Sequence, residues 1–210
     1  TEHALISLTE SIKNQLDNKL KVAGIFIDLE KAFDTVNHKI LYDKLTYYGF
    51  RGKAIELISS FLSNRTQYVS INGFDSKLLP ISCGVPQGST LGPLLFLLYI
   101  NDLRLSLKYS TASHFADDTC LTYAARKAKT IETNLNHDLK KLSTWLHANR
   151  LSLNVTKTKL LIFHSKNDKT DYNSINIKIE GFRLKLSDNV KYLGVFIDSS
   201  SSWDKHIREL

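Results

Sequence analysis

The stretch His114-Phe115-Ala116-Asp117-Asp118-Thr119-Cys120-Leu121-Thr122-Tyr123 decides how the rest of the chain is read. Apolar and β-prone residues flank two adjacent aspartates, the pattern of a short β-hairpin with both carboxylates at its tip. Negative charges held that close repel, which raises one pKa and destabilises the turn unless a cation sits between them. The pair therefore asks for a metal, whereas an ordinary Asp-containing turn asks for nothing. A second acidic stretch, Val22-Ala23-Gly24-Ile25-Phe26-Ile27-Asp28-Leu29-Glu30-Lys31-Ala32-Phe33-Asp34, runs an apolar strand straight into Asp28. Two strands ending side by side would gather Asp28, Asp117 and Asp118. That is the carboxylate cluster required by a two-metal phosphoryl-transfer centre, whose ions lie about 3.5–4 Å apart.

Composition sets the outer limits. A chain of 210 residues has room for one substantial core or two small lobes. Its hydrophobic fraction of 42% is ordinary for a globular protein, and the longest strongly apolar run, Leu94 to Ile100, is too short to cross a bilayer. A net charge of +7 favours a polyanionic partner such as nucleic acid. Cys83 and Cys120 make no metal-ligand or redox spacing and fit a reducing compartment. No secretory signal is visible, and a first residue of Thr1 with no methionine suggests a piece of something longer.

Taken in order, Leu5, Leu8, Ile12 and Leu16 predict an amphipathic helix over residues 1–19 with no visible N-cap, followed by a strand over 22–28. Asn37 is suited to cap a helix with Ile40, Leu41, Leu45 and Tyr48 on its apolar face, stopped by Gly49. A further helix spans about 52–63, and Asn72-Gly73 predicts a hairpin within 66–83. The loop Gly84-Val85-Pro86-Gln87-Gly88-Ser89-Thr90-Leu91-Gly92-Pro93 lets backbone approach a ligand closely and leads into a helix through Leu94, Leu95, Leu98 and Ile100. A long helix is expected near 128–148, then strands near 159–164, 175–180 and 190–197, with a charged loop from Ser165 to Asn173. Antiparallel strands with helices to one side give an α+β fold rather than a doubly wound parallel sheet.

Several of these stretches, in this order, resemble the blocks of a reverse transcriptase, most nearly those of non-LTR, LINE-type retrotransposons. The first block is similar to residues 27–38, Ile27-Asp28-Leu29-Glu30-Lys31-Ala32-Phe33-Asp34-Thr35-Val36-Asn37-His38, and the second to Gly84 through Leu103. The third is Phe115-Ala116-Asp117-Asp118, the fourth Asn149 to Lys159, and the fifth Lys191-Tyr192-Leu193-Gly194-Val195. The resemblance implies a right-hand polymerase palm, an antiparallel sheet with helices packed on one side, plus partial fingers. Residues 1–24 and about 39–83 would be fingers and their connection, 25–38 and 84–190 palm, and 191–210 the primer-grip region and start of a thumb.

The same resemblance implies an activity and a set of roles. The activity is RNA-directed DNA synthesis, with dNTP added to a DNA primer 3′-hydroxyl on an RNA template. Asp28 and Asp117 would be the principal ligands of two Mg²⁺ ions (Mn²⁺ a possible substitute), with Asp118 completing the cluster and the Leu29 carbonyl adding a ligand. Lys157 would protonate or stabilise the leaving pyrophosphate; the plainer alternative is one surface lysine among Lys157, Lys159 and Lys166. Lys31 and Ala32 would offer N–H groups to the triphosphate, and Phe33 would exclude a 2′-hydroxyl. Gln87 would contact the nascent base pair or sugar, and Gly88 would admit the template. Tyr192, Leu193 and Gly194 would form the primer grip, the alternative being a buried edge strand. Expected partners are the RNA template, the DNA primer, their RNA·DNA hybrid, dNTP and the rest of a larger retrotransposon polyprotein. No membrane partner is expected, and the expected location is intracellular: the nucleus during integration and the cytoplasm as a ribonucleoprotein.

Two other readings stay open. A fragment that binds an RNA·DNA hybrid or a protein partner without catalysing lacks the upstream fingers and the thumb. An RNA-dependent RNA polymerase palm shares the acidic geometry, though Phe33 argues against it. Other chemistries find no anchor: there is no His-Glu-x-x-His, no Gly-x-Ser-x-Gly, and Gly49-Phe50-Arg51-Gly52-Lys53 is too short for a phosphate-binding loop.

Overall fold

The computed structural model describes residues 1–165 and 168–209, so Lys166 and Asn167 of the expected charged loop lie outside the described residues. In chain order the elements are α1 (Glu2–Asp17), β1 (Lys21–Ile27), α2 (His38–Tyr47), α3 (Lys53–Leu62), β2 (Thr66–Gln67), β3 (Ser70–Ile71), β4 (Phe74–Asp75) and β5 (Leu79–Pro80). There follow α4 (Leu91–Ile100), β6 (Thr111–Phe115), β7 (Asp118–Ala125), α5 (Ala128–Ala148), β8 (Lys159–Phe163), β9 (Lys178–Ile179), β10 (Phe182–Arg183), β11 (Asn189–Tyr192), β12 (Val195–Asp198) and α6 (Asp204–Arg208). Contacts divide the chain into two units, one of residues 1–30, 103–148 and 152–210, the other of residues 31–102 and 149–151. These are units of contact, whereas fingers, palm and thumb are named for what they do to a primer and template.

The first unit is built on a four-stranded antiparallel sheet in the order β6-β7-β1-β8. β1 buries every residue after Lys21, because Val22, Gly24 and Phe26 alternate with Ala23, Ile25 and Ile27 and neither face is left to water. On one face Val22 and Phe26 join Leu8 and Ile12 of α1, Phe163 of β8 and Tyr192 of β11 in a single apolar cluster. The other face, Ala23, Ile25 and Ile27, is equally buried, so cover at β1 is two-sided. Along α5, Ile131, Leu135, Leu139, Leu142 and Leu146 are at most 1% exposed, the stripe that a helix must bury to be stable. Truncating one such leucine to alanine costs about 2–5 kcal/mol.

Asp138, on the same helix, is fully buried and accepts N–H bonds from Lys108 (3.0 Å), Tyr109 (2.9 Å) and Ser110 (2.7 Å). Burial alone pushes its pKa up, but the bonds to its charged form outweigh that and hold it below the ordinary carboxylate range. The chain entering β6 is thereby pinned to α5.

In the second unit α2 and α4 pack together, and Leu41 and Leu45 of the one and Phe96 and Tyr99 of the other have no exposed surface. Asn37 caps α2 as expected, its Oδ1 accepting from the Ile40 N–H at 3.1 Å. The Asn72-Gly73 hairpin forms, but from two-residue strands, and every side chain from residue 63 to 80 is exposed. Its register slips by one between the Thr66↔Pro80 and Ser70↔Asp75 pairings, leaving one extra residue on the returning side, a β-bulge.

Three sequence expectations change in detail. The strand expected at 190–197 is a hairpin, β11 and β12, turning at Leu193 and Gly194, both with positive φ. That expected at 175–180 is also a hairpin, β9 and β10, turning at Glu180-Gly181. The aspartate pair does not sit together at a tip: Phe115 pairs with Asp118, so the turn is Ala116-Asp117 and Asp118 opens β7.

Candidate active site

Strand register brings the acidic residues to the same end of the sheet. Ile27 pairs with Thr119, and continuing that antiparallel ladder by one residue sets Asp28 across from Asp118. Asp117 occupies the two-residue turn, which reverses the chain with Ala116 at φ +52°. The Asp118 carboxyl is raised above its ordinary pKa, first by partial burial and then by the charges of Asp117 and Asp28. Asp118 thus lies within electrostatic reach of both Asp117 and Asp28.

Asp28 is clamped from the other side by the segment before β8. Its carbonyl accepts from the Asn154 N–H at 2.8 Å and its own N–H donates to Thr158 Oγ1 at 3.3 Å. The Glu30 N–H donates to the Ser152 carbonyl at 2.9 Å. These bonds flank the bridge between Leu29 and Leu153, and neither backbone bond uses the Leu29 carbonyl. Lys157, carried by the same segment, places Nζ 3.8 Å from Asp28 Oδ2. Thr158, 3% exposed, lies within the fourth block, yet sequence reasoning assigns it no role. Its only signal is a short hydroxyl side chain among polar residues between a long helix and a strand, which fits local backbone bonding.

Among the described residues no group of three or more His, Cys, Asp or Glu side chains is gathered into a ready metal cage. The donor set nonetheless suits Mg²⁺, which keeps several waters and takes one or two carboxylates plus substrate phosphates rather than an all-protein shell. The charges of Asp117 and Asp28, which after burial raise the Asp118 pKa, are what a bound divalent cation would offset.

The residues expected at the nucleotide fall in the other unit. Lys31 is exposed with φ +48°, Ala32 is 4% exposed, and the Phe33 ring lies 4.8 Å from that of Phe96. Gln87 Nε2 donates to Asp34 Oδ1 at 2.9 Å, and Gly88 has open space where a Cβ would stand. The loop is drawn in by the Val85 N–H on the Phe33 carbonyl (2.8 Å) and the Gly84 N–H on the Val36 carbonyl (2.7 Å). A Cβ on Gly84 would meet the Asp34 carbonyl oxygen at 2.8 Å, so only glycine fits there.

Of the expected primer grip, Leu193 and Gly194 form the β11–β12 turn, while Tyr192 is 4% exposed with its ring edge-on to Phe26 at 5.2 Å. Burial first, then Cys120 and Asp118, push the Tyr192 hydroxyl pKa up, so it stays neutral.

Residues 3–197 match the family described as reverse transcriptase (RNA-dependent DNA polymerase). Among relatives, the RNA-directed DNA polymerase from mobile element jockey of Drosophila melanogaster is 27% identical over 93% of this chain. The probable RNA-directed DNA polymerase from transposon X-element of the same species is 29% identical over 100% of it. The chain spans only 22% and 23% of these two proteins, respectively. Among solved structures, apo telomerase from Candida tropicalis, truncated from its C-terminal domain, overlays with a TM-score of 0.61 at 16% identity. That overlay covers 97% of this chain and 39% of the other. The fold is therefore that of right-hand polymerases.

Proposed function

Since the chain belongs to the reverse transcriptase family, we propose that it is the catalytic portion of a non-LTR retrotransposon polymerase that extends a DNA primer on an RNA template. The observation that carries this is the register of β1 on β7, which faces Asp28 toward Asp118 beside the Asp117 turn. Among the described residues no helix is long and apolar enough to cross a membrane.

Asp28, Asp117 and the Leu29 carbonyl would hold Mg²⁺, with Asp118 adding charge to the cluster. When bound, the ions activate the primer 3′-hydroxyl and neutralise the leaving oxygen of an in-line displacement at the α-phosphate. The residues do the rest by position. Asn154 and Thr158 fix the Asp28 backbone, and Lys157 holds a proton beside the cluster for the departing pyrophosphate. Phe33, braced by Phe96, fills the space of a 2′-hydroxyl and offers it no hydrogen bond. Lys31, Ala32, Gln87 and Gly88 would line the nucleotide. Leu193 and Gly194 would present the primer end, with Tyr192 as the buried footing of that turn.

In the same reading residues 1–24 and about 39–83 act as fingers, 25–38 and 84–190 as palm, and 191–210 as primer grip and start of a thumb. The partners are RNA template, DNA primer and hybrid, within a longer polyprotein. Its sites of work are the cytoplasm as a ribonucleoprotein and the nucleus during integration.

Primer extension tests this on RNA and DNA templates with dNTPs or rNTPs, in Mg²⁺, Mn²⁺ or chelator. Dependence on divalent metal and on dNTPs is expected. Extension that survives chelation would remove the two-metal reading. Phe33→Val should admit ribonucleotides more readily, and unchanged sugar discrimination would free Phe33 from that role.

A further inference from the structure

Away from its buried stripe, α5 carries a second one. Residues 137, 141, 144, 145 and 148 fall on one side of the helix over about 16 Å. Residues 105–108 wall them in, making a groove of about 610 Å³ within the first unit. Leu105, Leu107, Trp145 and Ala148 give it an apolar lining, and Leu105 is 76% exposed. A lysine stands on each wall, Lys108 and Lys141, and no carboxylate lines the groove. Among the described residues neither lysine forms an ion pair; Lys108 Nζ rests over the Tyr109 ring at 5.2 Å. Asp138, further along α5, is no counter-charge, because it is fully buried and accepts the N–H groups of residues 108–110. An apolar groove rimmed by charges of one sign has the make-up of a docking surface, and its charge calls for an acidic occupant.

The chain itself carries a surface of that kind. On the outer face of α1, away from the buried Leu8 and Ile12, Glu2, Ile6 and Glu10 recur at every fourth residue, which stacks them one turn apart. All three are exposed, Ile6 by 52%, so an apolar side chain has a glutamate one turn to either side. In the next turn Lys13 and Asp17 offset each other. Tyr109 joins the two patches: its ring meets that of His137 edge-on at 5.4 Å at the groove, and with Ser11 and Gln15 of α1 it lines a small cavity. We propose that the groove receives the outer face of α1 from a second copy of the chain, Ile6 seated against Leu105 and Trp145 and the two glutamates paired with Lys108 and Lys141. Because helix and groove lie on either side of one tyrosine, two copies exchange the contact reciprocally and close a dimer. A nucleic-acid strand would use the lysines but leave Leu105 and Leu107 uncovered, whereas an isoleucine between two glutamates uses both kinds of group. The charge of +7 on each copy opposes association at long range, so the pairing acts only within a Debye length, about 8 Å at physiological salt.

Sedimentation equilibrium of the 210-residue chain tests this, over about 1–200 µM so as to bracket micromolar dissociation constants. A reversible monomer–dimer equilibrium is expected. Ile6→Ala should weaken it at least about tenfold, since its apolar surface is buried only in the dimer. Glu2→Lys/Glu10→Lys should leave monomer, and so should Lys108→Glu/Lys141→Glu, because each sets like charges face to face. The four substitutions together restore opposite charges and should restore the dimer, which a variant that merely misfolds could not do. All five side chains are exposed, and melting curves like the wild type's would exclude a folding defect. A wild-type chain that stays monomeric across the range would overturn the proposal, as would a dimer indifferent to either charge reversal or a fourfold variant that stays monomeric. Titration with a labelled single-stranded RNA of about 20 nucleotides covers the other occupant. RNA that splits the wild-type dimer and loses its affinity in Lys108→Glu/Lys141→Glu would give the groove to nucleic acid and overturn the assignment to α1.

Discussion

Asn72-Gly73 and Ala116-Asp117 are both two-residue turns that close antiparallel hairpins, yet they are made from opposite kinds of residue. In the first, φ is +51° at Asn72 and +81° at Gly73, and both residue types tolerate that region. In the second a plain alanine is held at φ +52°, a conformation that costs an L-residue about 1–2 kcal/mol. The relaxed turn tops a hairpin with no buried side chain, while the strained one ends strands of the buried four-stranded sheet. A hairpin with nothing packed on it must use the favoured turn residues, whereas one welded to a core can carry strain and repelling charges at its tip.

The contrast is tested most severely by removing the charge while leaving the turn. Asp117→Asn keeps the backbone and the hydrogen-bonding shape but weakens metal ligation, and it should cut primer extension by at least about 10²–10³-fold, the scale of a lost transition-state charge partner. Folding, read by circular dichroism, should be unaffected. Extension near the wild-type rate would mean that this hairpin carries its carboxylates for some other reason.

Next in size is the anchor behind the strained hairpin. Asp138→Ala leaves three N–H groups at residues 108–110 without their buried acceptor, and the expected loss is about 3 kcal/mol in urea unfolding. Among the described residues no anchor of this kind serves the 63–80 hairpin, whose side-chain bond to the returning side, from the Val69 N–H to Ser76 Oγ, is exposed. Ser76→Ala should accordingly change global stability by less than about 0.5 kcal/mol. Comparable losses from the two substitutions would erase the distinction.

Much of this architecture is legible in the sequence, and what is not has a physical cause. Period-3.6 stripes mark α5 from Ala128 to Ala148, the bounds observed, because a helix face that must be buried leaves its spacing in the sequence. Asn37 and Asn72-Gly73 are legible for a similar reason, since cap and turn chemistry is local. The division of 190–197 at Leu193 is hidden because Leu is an unusual residue at φ +50°, and continuous β-prone sequence conceals a turn. Asp118's place inside β7 turns on a register of one residue, which pairing decides and composition does not. The Thr158 bond to the Asp28 N–H joins residues 130 apart in sequence, and no local pattern announces that kind of contact.

The two turns themselves can be exchanged in chemistry. Gly73→Ala puts a Cβ at φ +81° and should weaken its hairpin by about 1 kcal/mol, seen as faster amide exchange across residues 66–80 with little change in global stability. Ala116→Gly relieves the strain but adds unfolded-state entropy, so the net gain should stay below about 1 kcal/mol. A large global loss from Ala116→Gly would show that alanine is needed there for packing rather than tolerated under strain.

The smallest expected effect tests the raised carboxyl of Asp118. Asp118 has its pKa raised in the folded chain, so folding favours its protonated form. Stability from this group is full below the ordinary aspartate value of about 4 and is lost as pH rises through the higher folded value. Asp118→Asn abolishes that loss, and its melting temperature should exceed the wild type's at pH 7 and converge with it near pH 3. The gain is modest because the residue is exposed and water screens the repulsion. Added Mg²⁺ should narrow the gap by stabilising the wild type more than the variant, since a cation bound among the three carboxylates turns their repulsion into ligation. A gap that ignores both pH and Mg²⁺ would mean that Asp118 is destabilised by its strand position and not by the ionisation of its carboxyl, which burial and then Asp117 and Asp28 oppose.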